Sequence, residues 1–396
     1  MKVLKSQTNN RFAKIWIDDL AKVESQTLDQ IRLMLEFPAL FKHIAIMPDT
    51  HLGKGAVIGG VVATSKTIVP NIVGVDIGCG MSALDTGNKF NKEIHDKQFW
   101  MDWKSRVNRS VPVGFNSHKE AQDIGDLEHD LCAKELMTHM ERAKQQIGTL
   151  GGGNHFLEAQ IDEKGHIWFM VHSGSRHLGL QIATYYNKRA KEVNEEYHSK
   201  TPQDLWFLHL DDPLAHDYFD DMNWAIDFAL ENRWRMLEAM DQAYHLTMAD
   251  KVGKCVTPEV RKHGINIHHN FASIENHFGD NVVVHRKGAT HAKEGQIGII
   301  PGSMGTNSYI VVGKGNSESY HSCSHGAGRM MSRTQAKKEI TSEQIRESLE
   351  GTFTKPSTKF ADEAPMAYKD IDEVMANQSD LVEIKHTLKP IITIKG

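Results

Sequence analysis

A chain of 396 residues that is 40% hydrophobic and 24% charged, with a formal net charge of -5, has the composition of an ordinary globular protein. That balance excludes a generally basic nucleic-acid binder, so any basic surface must be local. No apolar run reaches membrane-spanning length, and no apolar stretch follows a charged N-terminus. The four cysteines, Cys79, Cys132, Cys255 and Cys323, contain no CxxC pair. A reduced, cytoplasmic protein without membrane contact is expected. The unusual entry is 23 histidines, which directs attention to metal or phosphate sites.

In chain order, residues 13–17 read as a modest strand and 22–35 as a helix. HIAIMPDTHLGKGAVIGGVVAT (43–64) gives two apolar strands around a polar, glycine-rich turn that carries Asp49, His51 and Lys54. Residues 68–84 form a strand-like run in which Asp76 and Cys79 sit three apart among Gly74, Gly78 and Gly80. Glycines there let the backbone turn tightly and leave room for an ion or a phosphate. Residue types over 119–146 favour helix, ended by the glycines of 148–153.

Residues 167–171 are a wholly apolar strand with His172 and Ser173 at its end, where a rigid element can aim a reactive group. Residues 180–197 and 214–248 are helical. Phe219, Met222, Ala225, Ile226, Ala229, Leu230, Trp234 and Leu237 give the latter a helical apolar spacing, read as core or interface. Strands follow at 281–284 and 309–312, a helix from about 328 to 348, and a final strand in LVEIKHTLKPIITIKG (381–396). The length suggests two domains, yet no linker, repeat or low-complexity tract divides the chain. One large mixed α/β (α+β) domain over 1–396, with a mainly helical excursion at about 180–250, fits better.

Asp76, Cys79, His155, His172 and His269 each lie in or beside a polar break after an apolar or glycine-rich run. Oxygen, sulfur and nitrogen donors together suit a borderline divalent ion such as Zn²⁺, Mn²⁺ or Fe²⁺, and a thiolate can bridge two ions. Five donors exceed what one tetrahedral structural site needs. A second focus is HSCSHGAGRMMSRTQAKK (321–338). There His325 precedes Gly326, Ala327 and Gly328, small residues suited to phosphate against backbone N–H groups at a helix N-terminus. Arg329, Arg333 and Lys337 recur every fourth residue and would share a helix face. IIPGSMGTNSYIV (299–311) adds a small-residue loop with Ser303 and Ser308. GxxxxGK[ST], KxDG and HExxH are absent. His-Asp dipeptides at 95–96, 129–130 and 216–217 leave a metal-dependent phosphodiesterase or phosphatase as one alternative. An RNA-binding module with a structural metal is another.

PDTHLGKG (48–55), VGVDIGCGM (73–81), GGGNHFLE (151–158), HSGSR (172–176), HHN (268–270), PGSMGTNS (301–308), SHGAGR (324–329) and AYKDID (367–372), in this order, resemble the motif series of the RtcB family of 3′-phosphate RNA ligases. The match spans 48–395 and departs at His177, where a small residue is common, and over about 99–146. The resemblance implies a single-domain fold with a central metal and nucleotide cleft, and two Mn²⁺ ions with GTP as cofactors. Asp76, Cys79 and His155 would hold one Mn²⁺, and Cys79, His172 and His269 the other. His325 would be the guanylylated histidine, with Asp49 assisting near the metals. GTP would be held by Asn154, His155, Phe156, Leu157 and Glu158, by His269 and Asn270, and by Pro301, Gly302, Ser303, Met304 and Ser308. His325, Gly326, Ala327, Gly328, Tyr368 and Lys395 would complete that set, and Arg176 and Arg329 would meet RNA phosphate. The implied partner is RNA with a 3′-phosphate or 2′,3′-cyclic phosphate end and a 5′-hydroxyl end. No protein partner is indicated.

Overall fold

The computed structural model describes residues 1–253 and 259–396, so Cys255 lies outside the described residues. Helices and strands stay interspersed along the chain, as the mixed α/β expectation required. Most of the described strands fall into two large sheets. One runs, edge to edge, through Lys2–Lys5, Phe12–Ile15, Leu40–His51, Ile58–Thr64, Asp280–Lys287 and Asn270–His277. The other runs through Ile265–His268, Gly80–Lys89, His166–Ser173, Phe156–Ile161, Val382–Lys395, Ser308–Gly313 and Ile297–Ile300. His269 is the single residue between Ile265–His268 and Asn270–His277, so it sits where the chain passes from one sheet to the other. No helix is long and apolar enough to cross a membrane among the described residues.

The expected strand at 68–84 is broken. Thr67–Ile68 pairs with Leu208–His209, Pro70 starts a one-turn helix Pro70–Val73, and the strand resumes only at Gly80. Gly74 and Gly78 adopt φ of 96° and 69°, a left-handed geometry that costs an L side chain about 1–2 kcal/mol. The loop 74–79 is therefore built to turn, and Asp76 and Cys79 ride on it. The expected helix at 119–146 shrinks to Met140–Gln146, preceded by 3₁₀ turns, because its apolar residues bury a loop rather than a helical face. A helix at Lys97–Ser110 went unforeseen. Asp96 caps it by accepting from Phe99 N, and Phe99, Trp100, Trp103 and Val107 bury one face.

The helices Arg176–Glu196 and Pro213–Val252 form the expected excursion, and the second is 40 residues long. Met222, Ala225, Ile226, Ala229 and Leu237 are buried as its periodicity predicted. Its midpoint is polar nonetheless. Asn232 and Arg233 are fully buried and point at the loops that carry the site. The helix expected from 328 to 348 is two short ones, Arg333–Glu339 capped by Ser332 and Ser342–Ser348 opened by a Thr341/Gln344 capping box. Gly326, Ala327 and Gly328 thus lie in a loop well before a helix. Arg329 bridges to Tyr368 and stands off the helix, so only Arg333 and Lys337 share its face.

Candidate active site

The loop 74–79 is stitched to its surroundings through the backbone. Gly78 N donates to Asn270 O at 2.8 Å, Cys79 N to Asp76 O at 3.1 Å, and His269 N to Cys79 O at 2.8 Å. His155 arrives at the start of Phe156–Ile161, and His172 near the end of His166–Ser173, in register with Phe156 and Met81. Asp76, Cys79 and His155 converge so that one donor atom from each lies within 4.8 Å of the others, and so do Cys79, His172 and His269. Cys79 Sγ is common to both triads, 3.5 Å from His155 Nε2 and 3.3 Å from His172 Nε2. His155 Nε2 is 3.1 Å from Asp76 Oδ2. All five predicted ligands therefore meet.

The imidazoles are oriented from behind. His155 Nδ1 lies 3.0 Å from Leu150 O, and His172 Nδ1 donates to Asn154 O at 3.3 Å, which leaves His172 Nε2 with a lone pair toward Cys79. Burial holds His172 and His269 far below the ordinary histidine value, so both are neutral. Burial, with Asp76 adding, pushes the Cys79 thiol well up. Burial raises the Asp76 carboxyl too, but the His155 hydrogen bond and Arg176 outweigh it and leave Asp76 below its usual value. The two neutral imidazoles of His172 and His269, an ionised carboxylate and a thiol that ionises only when a cation replaces its proton make, with His155, a donor set that fits divalent metal. His269 Nδ1 is buried without a hydrogen-bond partner, as a group awaiting a ligand would be.

Asn232 and Arg233 hold these loops together. Asn232 accepts from Thr149 N at 3.1 Å and donates to Thr149 O, Ser173 Oγ and Gly174 O at 3.1–3.2 Å. Arg233 donates to Gly78 O at 2.8 Å, Ser173 O at 2.9 Å and Asn266 Oδ1 at 2.7 Å. Space is rationed by glycine here. A Cβ at Gly174 would collide with the Asp76 carboxylate, and one at Gly80 with Ile267 O.

His325 stands beside this cluster, its ring centroid 4.8 Å from that of His269. Its Nδ1 donates to Asp49 Oδ2 at 2.6 Å, and the same oxygen accepts from His325 N at 3.1 Å and Gly326 N at 3.3 Å. Asp49 is fully buried, and Lys369 Nζ clamps its strand by donating to Pro48 O at 2.8 Å and Thr50 O at 2.6 Å. The arrangement commits Nδ1–H to the carboxylate, so the lone pair of the imidazole is on Nε2. Gly328, at φ 74°, lets the loop pass Asp49, since a Cβ would strike Asp49 O.

A cavity of about 800 Å³ opens from His172 and His325 outward. Asn154, Phe156, Glu158, Ser303, Tyr368 and Lys395 line it, with Arg329, the backbone of Gly326, Ala327 and Gly328, and the loop of Pro301, Gly302 and Met304. Glu158 is buried and accepts from Thr393 Oγ1 and Gln160 Nε2, each at 2.6 Å. Burial nevertheless raises its carboxyl to about 7. Burial pushes His51, also on the cavity wall, down to about 4.

Leu157, Ser308 and Asn270, three predicted nucleotide-site residues, are not among the residues that line the cavity. Leu157 points into the core with Phe169 and Ile392, because strand alternation turns it away from Phe156 and Glu158. Ser308 is buried and its hydroxyl serves Gln160 Nε2 at 3.1 Å and Gly302 N at 3.3 Å, which shapes the 301–308 loop. Asn270 spends its amide on Asp76 O at 3.0 Å and Gly288 N at 2.8 Å. Arg176 lies beneath Gly151 on the Asp76 side, outside the cavity lining. Glu363 escaped the sequence reading. It accepts from Tyr368 Oη at 2.8 Å and Lys395 Nζ at 2.7 Å, and Arg329 Nη1 lies 3.5 Å away, so it ties three wall residues together. Its neighbours KFADEAP offered no pattern to find it by.

A family model described as tRNA-splicing ligase RtcB matches residues 30–135 and 119–396. The chain is 40% identical to the RNA-splicing ligase RtcB of Escherichia coli strain K12 over 407 residues, covering 98% of each protein. It is 32% identical to the tRNA-splicing ligase RtcB of Nanoarchaeum equitans over 448 residues, 94% of this chain and 92% of the relative. With the RNA-splicing ligase RtcB of Mycobacterium tuberculosis it shares 30% identity over 443 residues, 93% of this chain and all of the relative. Identity sustained across nearly the whole length, with the convergent Asp/Cys/His cluster as its centre, shows that the chain belongs to the RtcB family.

Proposed function

We propose that this protein is an RNA ligase, one domain throughout, that joins RNA 3′-phosphate or 2′,3′-cyclic phosphate ends to 5′-hydroxyl ends with GTP and Mn²⁺. The observation that carries the reading is the Asp49–His325 pair at 2.6 Å beside the two metal-ligand triads, on the wall of a cavity of nucleotide size. Asp76, Cys79 and His155 would hold one Mn²⁺, and Cys79, His172 and His269 the other. Bound there, the ions supply Lewis-acid neutralisation of phosphoryl charge.

His325 is the nucleophile. With Nδ1–H fixed by Asp49, Nε2 attacks the α-phosphorus of GTP; a P–N bond forms and the bond to pyrophosphate breaks. Asp49 stabilises the positive charge that grows on the ring. The backbone amides of Ala327 and Gly328 and the Lys395 ammonium face the phosphates, Gly326 N being held by Asp49, and Glu158 accepts from the guanine N–H groups. The guanylate then passes to an RNA 3′-phosphate, and a 5′-hydroxyl attacks that activated end and expels GMP. A cyclic phosphate end is first hydrolysed to the 3′-phosphate. Arg176 and Arg329 offer guanidinium groups for RNA phosphate.

Incubation with labelled GTP and Mn²⁺, followed by denaturing electrophoresis, tests this. A GMP adduct, stable to alkali and labile to acid, forms on the wild type and is lost in His325→Ala. Release of product from RNA ends without any adduct would instead mark a metal-dependent phosphodiesterase and end the ligase reading.

A further inference from the structure

The three glycines that precede the metal ligand His155 each face a different element. A Cβ on Gly151 would fall on the Arg176 guanidinium, one on Gly152 would lie 3.9 Å from Gly114 Cα, and one on Gly153 would lie 3.1 Å from Arg333 Nη2. Two guanidinium groups thus flank a solvent-facing turn, and between them comes the segment that carries Phe115. That segment is anchored to the same turn. Gly114 N donates to Gly151 O at 2.9 Å, Leu150 N to Pro112 O at 2.9 Å, and Asn116 Nδ2 to Val113 O at 3.0 Å. At its tip the Phe115 ring is fully exposed.

A single exposed apolar residue ordinarily needs no explanation. This one is an aromatic ring held free of its own protein, on a short hydrogen-bonded turn fixed to the metal-bearing loop. A guanidinium stands on each side of that loop, Arg333 half-exposed with Asp362 at 3.6 Å and Glu363 at 3.9 Å, and Arg176 facing Asp76. Cationic groups for the backbone and an aromatic face for a base are the two components by which proteins hold single-stranded nucleic acid. Resting on the ligase reading, we infer that Phe115 is a stacking platform for a base in the terminal nucleotides of single-stranded RNA. The flanking Arg176 and Arg333 engage the adjoining phosphates. The segment falls within 99–146, where the family motif series lapses, so a platform here sets which RNA ends are held well.

The test is fluorescence anisotropy with a labelled single-stranded RNA ending in a 3′-phosphate, at one salt concentration. Wild type, F115A, F115L and F115Y are compared, with melting temperatures confirming that each is folded. Phe115→Ala and Phe115→Leu weaken binding about 5-fold or more, whereas Phe115→Tyr stays near wild type, because stacking needs the ring. Removing one base near the 3′ end by an abasic substitution costs the wild type a similar factor and costs F115A little further. Wild-type RNA binding that F115A retains overturns this inference and leaves the ligase reading standing. Binding lost in F115A but kept in F115L, or abasic losses that simply add to those of F115A, overturn it equally; the first would mark an apolar protein contact. A wild type that neither binds the RNA nor takes up guanylate overturns this inference and the ligase reading together.

Discussion

Asp49 and His325 are separated by 276 residues in the chain and by 2.6 Å in the fold. A nucleophilic imidazole needs one nitrogen held as N–H and the other bare, and a buried carboxylate enforces that choice of tautomer. Asp49→Asn keeps the shape but weakens the acceptor, so guanylylation of His325 slows by about 10²-fold or more while the Kd for GTP stays close to that of the wild type. Single-turnover adduct formation and equilibrium GTP binding, measured side by side, check this. Glu158 gives a second prediction. Its carboxyl titrates at about 7, and only the ionised form accepts well from guanine N–H groups. GTP affinity therefore rises as pH climbs through about 7, by roughly tenfold between pH 6 and 8, and Glu158→Gln flattens the profile. Without nucleotide the sign reverses. A carboxyl raised in the folded state stabilises the fold below its ordinary value, and that contribution is lost as pH rises through about 7. Thermal melts with and without GTP across this window separate the two trends.

At the scale of elements, the helix Pro213–Val252 does more than fill the core. Its apolar periodicity was legible, but Asn232 and Arg233 sit in the same stretch and reach backbone groups of Gly78, Thr149, Ser173 and Gly174, in the segments that carry the candidate ligands Asp76, Cys79, His155 and His172. Asn232→Ala leaves buried groups of Thr149 and Gly174 without partners, at a cost on the order of 1–3 kcal/mol for each group stranded. Denaturant unfolding should show that loss, and Mn²⁺ titration should show weaker binding although no ligand has been touched. The helices misjudged at 119–146 and 328–348 fail for a related reason. Residue types there suit helix, but Met140–Gln146 and Arg333–Glu339 extend only as far as neighbouring elements bury one face.

Across the whole molecule, the five candidate ligand residues come from the loop 74–79, from the residue that leads into Phe156–Ile161, from the neighbouring strand His166–Ser173, and from the crossing point between the sheets at His269. Cys79 belongs to both triads, which separates three outcomes. If the two triads hold two Mn²⁺ ions as proposed, Cys79→Ala lowers the bound manganese to fewer than one, whereas His155→Ala and His269→Ala each lose one. Elemental analysis after dialysis counts them. Mn²⁺ also raises the melting temperature of the wild type more than that of Cys79→Ala, because a ligand bound only by the folded state stabilises it by mass action. The sequence by itself determined the family and singled out Asp76, Cys79, His155, His172, His269 and the His325 segment as candidates, since the ordered motifs that carry them are local runs of residues. Only the tertiary structure decided that Asp49 holds His325, that Glu363 ties Tyr368, Arg329 and Lys395 together, and that Leu157 packs in the core while Ser308 and Asn270 bond Gly302 N and Gly288 N. Those roles depend on which strand faces which, and on contacts across hundreds of residues. Neither leaves a trace in the local pattern of side chains.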